Sequence, residues 1–188
     1  LMAFSAHKIY GPKGVGALYI RSRNPRVKIT PQITGGGHEN NIRNGTLNVP
    51  GIAGFGKACE LCFNALPGEL KELKDKRDRL KEGLLGIPGT VLNGHPEYRL
   101  PHVLNISFAQ LNSNQLLSAL HTTVAVSSGS ACTSGSLDPS YVLAAMGIND
   151  RLSKAALRFS IGRFTTPEEI GFAIRQVTEI VMQLRSGL

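Results

Sequence analysis

The sequence predicts a mixed α/β chain whose organisation changes near residue 66. Short apolar runs bounded by glycine and proline predict strands, and longer stretches with apolar residues at helical spacing predict helices. Loops and glycines dominate before residue 66, whereas a compact α+β unit is predicted after it. With 188 residues, 41% of them hydrophobic and 18% charged, the chain is long and apolar enough to bury a core.

Two short strands are predicted at the start of the chain. The apolar runs Leu1 to Phe4 and Gly16 to Arg21 flank a turn-rich segment, Tyr10-Gly11-Pro12-Lys13-Gly14. A basic stretch, Arg21 to Lys28, and a glycine-rich loop, Gly35 to Gly45, come next. Because the first apolar run has no start signal before it, we expect the N-terminus to be an internal position of a longer protein.

The middle of the chain predicts two helices, followed by strands and a third helix. The first begins near Ile52 and is expected to end at Pro67-Gly68, because proline disrupts a helix interior. The second has a charged, solvated face and a leucine face formed by Leu70, Leu73, Leu80 and Leu84. The remaining elements are strands at Thr90 to Leu92, Val103 to Phe108, Thr123 to Ser127 and Ala156 to Ile161, and a helix near Asn114 to Leu120.

The last predicted helix has both a start signal and an apolar stripe. Thr166 can cap it, Pro167 suits the first helical position, and Glu169 completes a capping box. The stripe consists of Ile170, Ile174, Val177, Val181 and Leu184. This pattern predicts an amphipathic helix.

Composition limits the function classes. Lys and Arg outnumber Asp and Glu by 21 to 13, and the net charge of +8 suits an acidic partner, a phosphate ligand or nucleic acid. Direct nucleic-acid binding lacks support, because the chain has neither a recognised motif nor stacking aromatic positions. We expect no membrane partner, since no apolar run of these residues could span a bilayer and residues 1–10 lack the basic-then-apolar pattern of a signal peptide. Three unevenly spaced cysteines favour a reducing interior, the cytoplasm or an organelle matrix.

Ser5-Ala6-His7-Lys8 is a candidate catalytic segment. It places a lysine at the end of an apolar strand, directly after side chains that can form hydrogen bonds. A lysine that is partly desolvated or close to other cations loses its proton more readily and can form a Schiff base. An exposed lysine at a strand end, with no chemical role, fits the tetrapeptide as well.

Cys132 stands among small residues, in Ser127-Ser128-Gly129-Ser130-Ala131-Cys132-Thr133-Ser134-Gly135-Ser136. A structural cysteine normally lies in an apolar stripe, whereas this setting predicts a flexible segment from which a thiolate could attack. A small residue in a tight loop is the alternative. Cys59 and Cys62 instead fall on the apolar face of the first predicted helix, so we expect them to pack in a core.

Two glycine-containing segments could bind an anion. Gly35-Gly36-Gly37-His38-Glu39 allows close backbone approach, and Arg43-Asn44-Gly45-Thr46 adds a guanidinium and a hydroxyl suited to phosphate or carboxylate. Neither is a P-loop or a dinucleotide-binding fingerprint. The cysteines and histidines lack metal-ligand spacing, so no metal site is predicted.

Five segments, taken in order, resemble the cysteine desulfurases of the class V aminotransferase superfamily. They are Ser-Ala-His-Lys-Ile-Tyr-Gly-Pro-Lys-Gly, Gly-Gly-Gly-His-Glu, Arg-Asn-Gly-Thr, Ser-Ser-Gly-Ser-Ala-Cys-Thr-Ser and Arg-Phe-Ser-Ile-Gly-Arg-Phe-Thr. The resemblance implies the C-terminal part of a fold-type I pyridoxal-phosphate enzyme. Residues 1–48 would end the large cofactor domain, 49–66 would form a connecting helix, and 67–188 would form a small α+β domain with the cysteine loop.

The resemblance also implies roles for individual residues. Lys8 would hold pyridoxal 5'-phosphate and later move the α-proton of the substrate, Cys132 would be the catalytic nucleophile, and Arg158 would bind the substrate carboxylate. Contacts to the cofactor would come from Ser5, Ala6, His7 and Thr46, the last reaching the phosphate of the neighbouring subunit. The implied reaction converts L-cysteine to L-alanine and leaves the sulfur on Cys132 as a persulfide.

The implied partners are a second copy of the chain, in a homodimer, and a sulfur-acceptor protein. The acceptor would be an iron–sulfur scaffold or a sulfur carrier for tRNA thiolation. The basic segment Arg21 to Lys28 lies where relatives dock such acceptors, or is simply a solvated loop. Two alternatives stay open: a selenocysteine lyase, and an inactive half that needs a partner chain. The second arises because the aromatic residue and the aspartate with which the family holds the cofactor ring are not among these 188 residues.

Overall fold

The computed structural model describes residues 1–128 and 140–187. The chain divides into two compact units, Leu1–Pro67 and Gly68–Leu188, the first with a two-stranded sheet and the second with a three-stranded sheet. No helix in the described part of the chain is long and apolar enough to cross a membrane. The domain roles given above to residues 1–48, 49–66 and 67–188 remain a prediction.

An antiparallel hairpin opens the first unit. Strand β1 (Met2–Ser5) pairs with β2 (Gly16–Tyr19), and Ser5 lies opposite Gly16. Both predicted strands are confirmed, with ends that differ by one or two residues. All residues of both strands are exposed, and a two-stranded hairpin by itself is only marginally stable in water.

One long helix, α1 (Val49–Leu85), replaces the two helices predicted from the sequence. The expected helix end at Pro67-Gly68 is wrong, because Pro67 lies inside α1. Proline removes the hydrogen bond to the carbonyl of Phe63, but both residues are exposed, so water can bind that carbonyl. Further along the helix Leu80 and Leu84 are buried, and this burial offsets the local cost.

The sheet of the second unit is antiparallel, with its longest strand in the centre. Strands β3 (Thr90–Leu92), β4 (Val103–Phe108) and β5 (Ala156–Ser160) follow in that order and confirm the predicted strands. The strand predicted at Thr123 to Ser127 is wrong, because only Ser127 forms a bridge. The apolar alternation there reflects Val124 and Val126, which pack against the core from an extended segment.

Helices α1, α2 (Ser113–Leu120) and α5 (Pro167–Ser186) cover the apolar face of this sheet. Helices α2 and α5 confirm the predictions, including the capping box at the start of α5. The short helices α3 (Tyr141–Ala145) and α4 (Asp150–Ser153) were not predicted. Gly83 of α1 allows close packing on α5, since a Cβ there would lie 2.6 Å from Ile174 Cδ1.

Alternation along β4 separates an apolar face from a polar one. Leu104, Ile106 and Phe108 are fully buried, at 0% exposure, and form the centre of the core. The residues between them, Asn105 and Ser107, therefore lie on the opposite face of the sheet. That polar face carries part of the candidate site.

Candidate functional site

The lysine segment lies in the turn between β1 and β2. Ser5 ends β1, and Ala6–Ile9 form a 3-10 turn that Tyr10 closes with a left-handed backbone conformation, φ 65°. Ser5, His7 and Lys8 are all exposed. The turn therefore presents a hydroxyl, an imidazole and an amine within four consecutive residues of the sequence.

Ala6 anchors this turn. It is fully buried, at 0% exposure, its N–H donates to Val15 O at 3.1 Å, and its carbonyl accepts from Gly11 N at 2.9 Å. The backbone around it is closely packed, because a Cβ on Gly11 would lie 2.9 Å from Ala6 O and one on Gly16 would lie 2.3 Å from Phe4 O. Glycine is thus required at both positions for the turn to keep this shape.

Asn44 joins the two glycine segments. It is 5% exposed, its Oδ1 accepts from Gly37 N at 2.5 Å, and its Nδ2 donates to Ile33 O at 2.9 Å. Gly37 has a φ of 85°, which suits glycine. The sequence did not predict this role of Asn44, since its only signal is an asparagine between an arginine and a glycine.

Thr46 follows Asn44 and is exposed. Within residues 1–128 and 140–187, Thr46 forms no hydrogen bond to Ser5, His7 or Lys8. Its contact with a phosphate bound to the neighbouring subunit therefore remains a prediction.

Arg158 lies on β5 between two neighbouring segments. It pairs with Asn105 of β4 on one side, and with Ser127 on the other through an isolated antiparallel bridge. The side chain of Arg158 is half-buried. Since paired residues of antiparallel strands point to the same side, Arg158 shares the polar face with Asn105 and Ser127.

The motif Arg-Phe-Ser-Ile-Gly-Arg contains two arginines with different environments. Arg163 forms an ion pair with Glu69, and these side chains are only 28% and 19% exposed. Among the described residues, no acceptor or carboxylate pairs with the Arg158 guanidinium. Arg158 is therefore the arginine of this motif that can receive an anion from outside the described chain.

A hydrogen-bonded network lies beside Arg158 on the polar face. Asn93 Nδ2 donates to Asn105 Oδ1 at 2.7 Å and to Ser107 Oγ at 2.8 Å, and Ser107 Oγ donates to Leu152 O at 2.8 Å. Asn93, Asn105 and Ser107 were not predicted as site residues from the sequence. The available signal was that Asn105 and Ser107 alternate with large apolar residues.

The predictions for the three cysteines have different outcomes. Cys132 lies outside the described residues, in the gap between 128 and 140, so its role remains a prediction. The expected core packing of Cys59 and Cys62 is wrong, because Cys59 is exposed and Cys62 half-buried. Ala58, at 7% exposure, is buried in this part of α1, which leaves the cysteines on other sides of the helix. No group of His, Cys, Asp and Glu in the described ranges could hold a metal ion.

The basic segment forms an exposed turn. Val27 N donates to Arg21 O at 2.9 Å, and the Arg21 guanidinium donates to Asn24 O at 3.1 Å. All four basic side chains are exposed, namely Arg21, Arg23, Arg26 and Lys28. This turn is a compact patch of positive charge.

Comparison with known proteins identifies the family. The sequence profile described as "Aminotransferase class-V" matches residues 1–172, which is most of the chain. The chain belongs to the aminotransferase class-V family. Curated relatives of this class-V chain include "Cysteine desulfurase IscS" of Anaeromyxobacter sp. (strain Fw109-5), 53% identical over 98% of this chain and 46% of the relative. The protein of the same name from Pasteurella multocida (strain Pm70) is 51% identical over 98% of this chain and 45% of the relative.

Solved structures agree with this class-V assignment. A "NifS-like protein" matches with a TM-score of 0.83 and 34% identity, over 96% of this chain and 46% of that protein. The class-V chain therefore has the mixed helix and sheet fold of the matched part of that NifS-like protein, and it spans about half the length of the relatives it matches.

Proposed function

We propose that this chain forms part of a pyridoxal-phosphate-dependent cysteine desulfurase, which converts L-cysteine to L-alanine and transfers the sulfur to Cys132. The observation that supports this most directly is the 53% identity to a curated cysteine desulfurase over 98% of the chain. Because the chain spans only 46% of that relative, the activity is proposed for the enzyme assembled with this chain.

The lysine turn suits pyridoxal 5'-phosphate by the chemistry of its donors. Lys8 Nζ supplies an amine for covalent attachment, and Ser5 and His7 supply donors for a phosphate beside it. When bound, the cofactor supplies an electron sink for the α-carbon of an amino acid. Lys8 Nζ then moves the α-proton of the substrate, since an exposed amine on a short turn can reach a ligand bound there. Thr46 of the neighbouring subunit supplies a further hydroxyl.

Arg158 binds the carboxylate of L-cysteine. Its guanidinium is half-buried and has no anionic partner in the described ranges, whereas Arg163 is engaged with Glu69. The planar guanidinium can hold a carboxylate by two parallel hydrogen bonds, which fixes the orientation of the substrate.

Cys132 takes the sulfur. Its thiolate attacks the substrate sulfur, the S–S bond forms as the C–S bond breaks, and the electron pair remains with the substrate carbon. Protonation of that carbon gives L-alanine and leaves a persulfide on Cys132. This reaction needs a reduced thiol, which agrees with a reducing interior such as the cytoplasm.

The proposed partners are a second copy of the chain and a sulfur-acceptor protein. A homodimer would bring Thr46 of one subunit to the cofactor of the other. The exposed turn with Arg21, Arg23 and Arg26 would attract an acidic surface on an iron–sulfur scaffold or a sulfur carrier.

The test is turnover of L-cysteine by the assembled enzyme. We expect equimolar L-alanine and protein persulfide in the first turnover, and no persulfide in a Cys132→Ser variant that still binds the cofactor. Normal release of alanine and sulfide by that variant would reject Cys132 as the nucleophile. Faster turnover of L-selenocysteine with no persulfide would favour a selenocysteine lyase instead.

A second candidate is a half that is inactive without a partner chain. It is supported by the exposure of every residue of β1 and β2, which leaves the hairpin that carries Lys8 uncovered. Turnover of L-cysteine by the isolated 188-residue chain would reject this candidate. Activity that appears only when a second polypeptide is added would support it.

A further inference from the structure

Four polar residues form one row across the polar face of the three-stranded sheet. Asn93 N donates to Asn105 O at 3.0 Å, Asn105 pairs with Arg158, and Arg158 bridges to Ser127. Residues that pair across antiparallel strands project to the same side of a sheet. We call Asn93, Asn105, Arg158 and Ser127 the polar row, which lies opposite the apolar face of the sheet.

Asn105 and Arg158 are close neighbours within the polar row. Phe108 N donates to Ala155 O at 3.0 Å, so Phe108 and Ala155 form a hydrogen-bonded pair at the end of the β4–β5 ladder. Hydrogen-bonded and non-hydrogen-bonded pairs alternate, and Asn105 and Arg158 lie three positions away. They therefore form a non-hydrogen-bonded pair, in which the Cα atoms lie only ~4.5 Å apart and side chains are closest.

The hydrogen bonds of the network set the direction in which the Asn105 amide points. Ser107 Oγ donates its one proton to Leu152 O at 2.8 Å, so it can only accept from Asn93. The amide nitrogen of Asn93 must then face Ser107, and it also donates to Asn105 Oδ1 at 2.7 Å. The hydrogen bond from Asn93 thus fixes Asn105 Oδ1, and Asn105 Nδ2 is left to donate to another group.

We propose that Asn105 Nδ2 is a second donor to the carboxylate of the amino-acid substrate, beside the Arg158 guanidinium. This inference rests on the proposed function, in which Arg158 binds that carboxylate. Within residues 1–128 and 140–187 the Asn105 amide N–H groups have no acceptor, and the side chain is half-buried rather than enclosed. A carboxylate has about four lone-pair sites, so it can accept from the guanidinium and the amide together.

Asn105 differs from Arg158 in what it contributes. Arg158 supplies positive charge, whereas Asn105 supplies a neutral donor whose orientation is set by Asn93 and, through it, by Ser107. A donor with a fixed orientation loses little freedom when the ligand binds. A carboxylate offers one oxygen to the guanidinium and the other to Asn105 Nδ2, whereas a neutral amide offers only one oxygen and places an NH₂ donor against the second donor. Asn105 beside Arg158 therefore favours a carboxylate over an amide.

The experiment compares Asn105→Leu with the wild-type assembled enzyme, and uses Asn114→Leu, an exposed position on α2, as the matched control. Inhibition constants are measured for L-alanine and for L-alaninamide, which lacks the carboxylate, together with KM and kcat for L-cysteine. For Asn105→Leu we expect the KM for L-cysteine and the inhibition constant of L-alanine to rise about 10-fold to 100-fold, because a hydrogen bond to a charged group is lost. We expect the inhibition constant of L-alaninamide to change by less than about twofold in Asn105→Leu. In the Asn114→Leu control, the KM and both inhibition constants should also change by less than about twofold.

An equal rise for both inhibitors would overturn the proposal, because it would show a merely structural role. Unchanged constants would also overturn it. Asn105→Asp keeps the acceptor for Asn93 and replaces the donor by an anion, so it should weaken L-alanine binding at least as much as Leu does. L-Alanine binding equal to wild type in a folded Asp variant would contradict the proposal. Absence of L-cysteine turnover in the wild type would reject the proposed function separately, since the ratio of the two inhibition constants is measured without turnover.

Discussion

Ser127 and Arg158 exchange two backbone hydrogen bonds, with Ser127 N donating to Arg158 O at 3.2 Å and Arg158 N donating to Ser127 O at 2.6 Å. This bridge ties the segment that precedes Cys132 to the strand that carries the proposed carboxylate-binding arginine. Five positions separate Ser127 from Cys132. The anchored Ser127 is therefore close in sequence to the proposed sulfur acceptor.

Replacement of Arg158 by Lys should weaken substrate binding more than it slows the chemical step. Lysine keeps the charge but lacks the planar pair of donors that matches a carboxylate. We expect KM for L-cysteine to rise by about tenfold or more, with a smaller effect on kcat. Steady-state kinetics of the assembled enzyme, with exposed Arg151→Lys on α4 as control, test this. An unchanged KM for L-cysteine would show that Arg158 does not bind the substrate carboxylate.

Replacement of Lys8 by Ala should abolish covalent attachment of the cofactor. The assembled enzyme should then lose its yellow absorbance and all turnover, because no amine remains on the turn to attach the cofactor. Lys13→Ala, at an exposed position of the same hairpin loop, is the matched control and should keep its colour. Covalently bound cofactor on the denatured Lys8 variant after hydride reduction, detected as added mass, would show that another lysine is the attachment site.

Loss of the Asn44 side chain should loosen the glycine loop. Asn44→Ala removes the Oδ1 acceptor of Gly37 N, which then keeps only Gly35 O at 3.0 Å, and it removes the donor to Ile33 O. Losses of this kind cost about 1–3 kcal/mol. Amide hydrogen exchange of Gly37 should therefore become about 10-fold to 100-fold faster. Exchange at Gly37 should be unaffected in Asn114→Ala, and unchanged exchange in the Asn44 variant would show that other contacts hold the loop.

Pro67→Ala should stabilise α1. The helix already continues through Pro67, so alanine can add the missing N–H and restore a hydrogen bond to Phe63 O. The gain should be at most about 3 kcal/mol, the usual cost of proline in a helix interior. Denaturant unfolding, with Pro96→Ala in an exposed loop as control, measures it. A loss of stability would mean that the proline is needed for the shape of α1.

Asp78 should make stability depend on pH in the acid range. Burial raises the pKa of Asp78, but hydrogen bonds from Lys81 at 3.0 Å and Arg77 at 2.9 Å outweigh it and hold the pKa below its ordinary value. Because the pKa of Asp78 is lower in the folded protein than in the unfolded chain, its charged form stabilises the fold at any pH above the unfolded-state pKa. This stabilisation is lost as the pH falls through the lower, folded-state pKa. Asp78→Asn should therefore be less stable than wild type at pH 7, with a difference that shrinks below about pH 4.

Unfolding midpoints measured across this pH range provide the check. Asp75→Asn is the control, because Asp75 is 64% exposed and its pair with Lys71, at 3.4 Å, is solvated. A difference between the Asp78 variant and wild type that stays constant down to pH 2 would show that charge is not the cause.

Local signals predicted the elements that depend on neighbouring residues. The capping box of Thr166 and Glu169 placed the start of α5 correctly, because both partners lie within one turn of the helix. Pro67 gave a misleading signal, since a proline usually ends a helix but packing of distant residues kept this one continuous. Likewise, Val124 and Val126 are spaced as in a strand, and both pack against the core. In this segment, however, only Ser127 pairs with another strand, so no ladder forms.

The sequence by itself determined the family resemblance, the candidate turn around Lys8 and the choice of Arg158, because each depends on residue type and order along the chain. Only the tertiary structure decided that Arg163 is engaged with Glu69 whereas Arg158 has no such partner in the described ranges, and that Asn93, Asn105 and Ser127 lie in its row. The physical reason is that antiparallel pairing brings together residues that are far apart in sequence. No local pattern around Asn93, twelve positions before Asn105, specifies which strand it will meet.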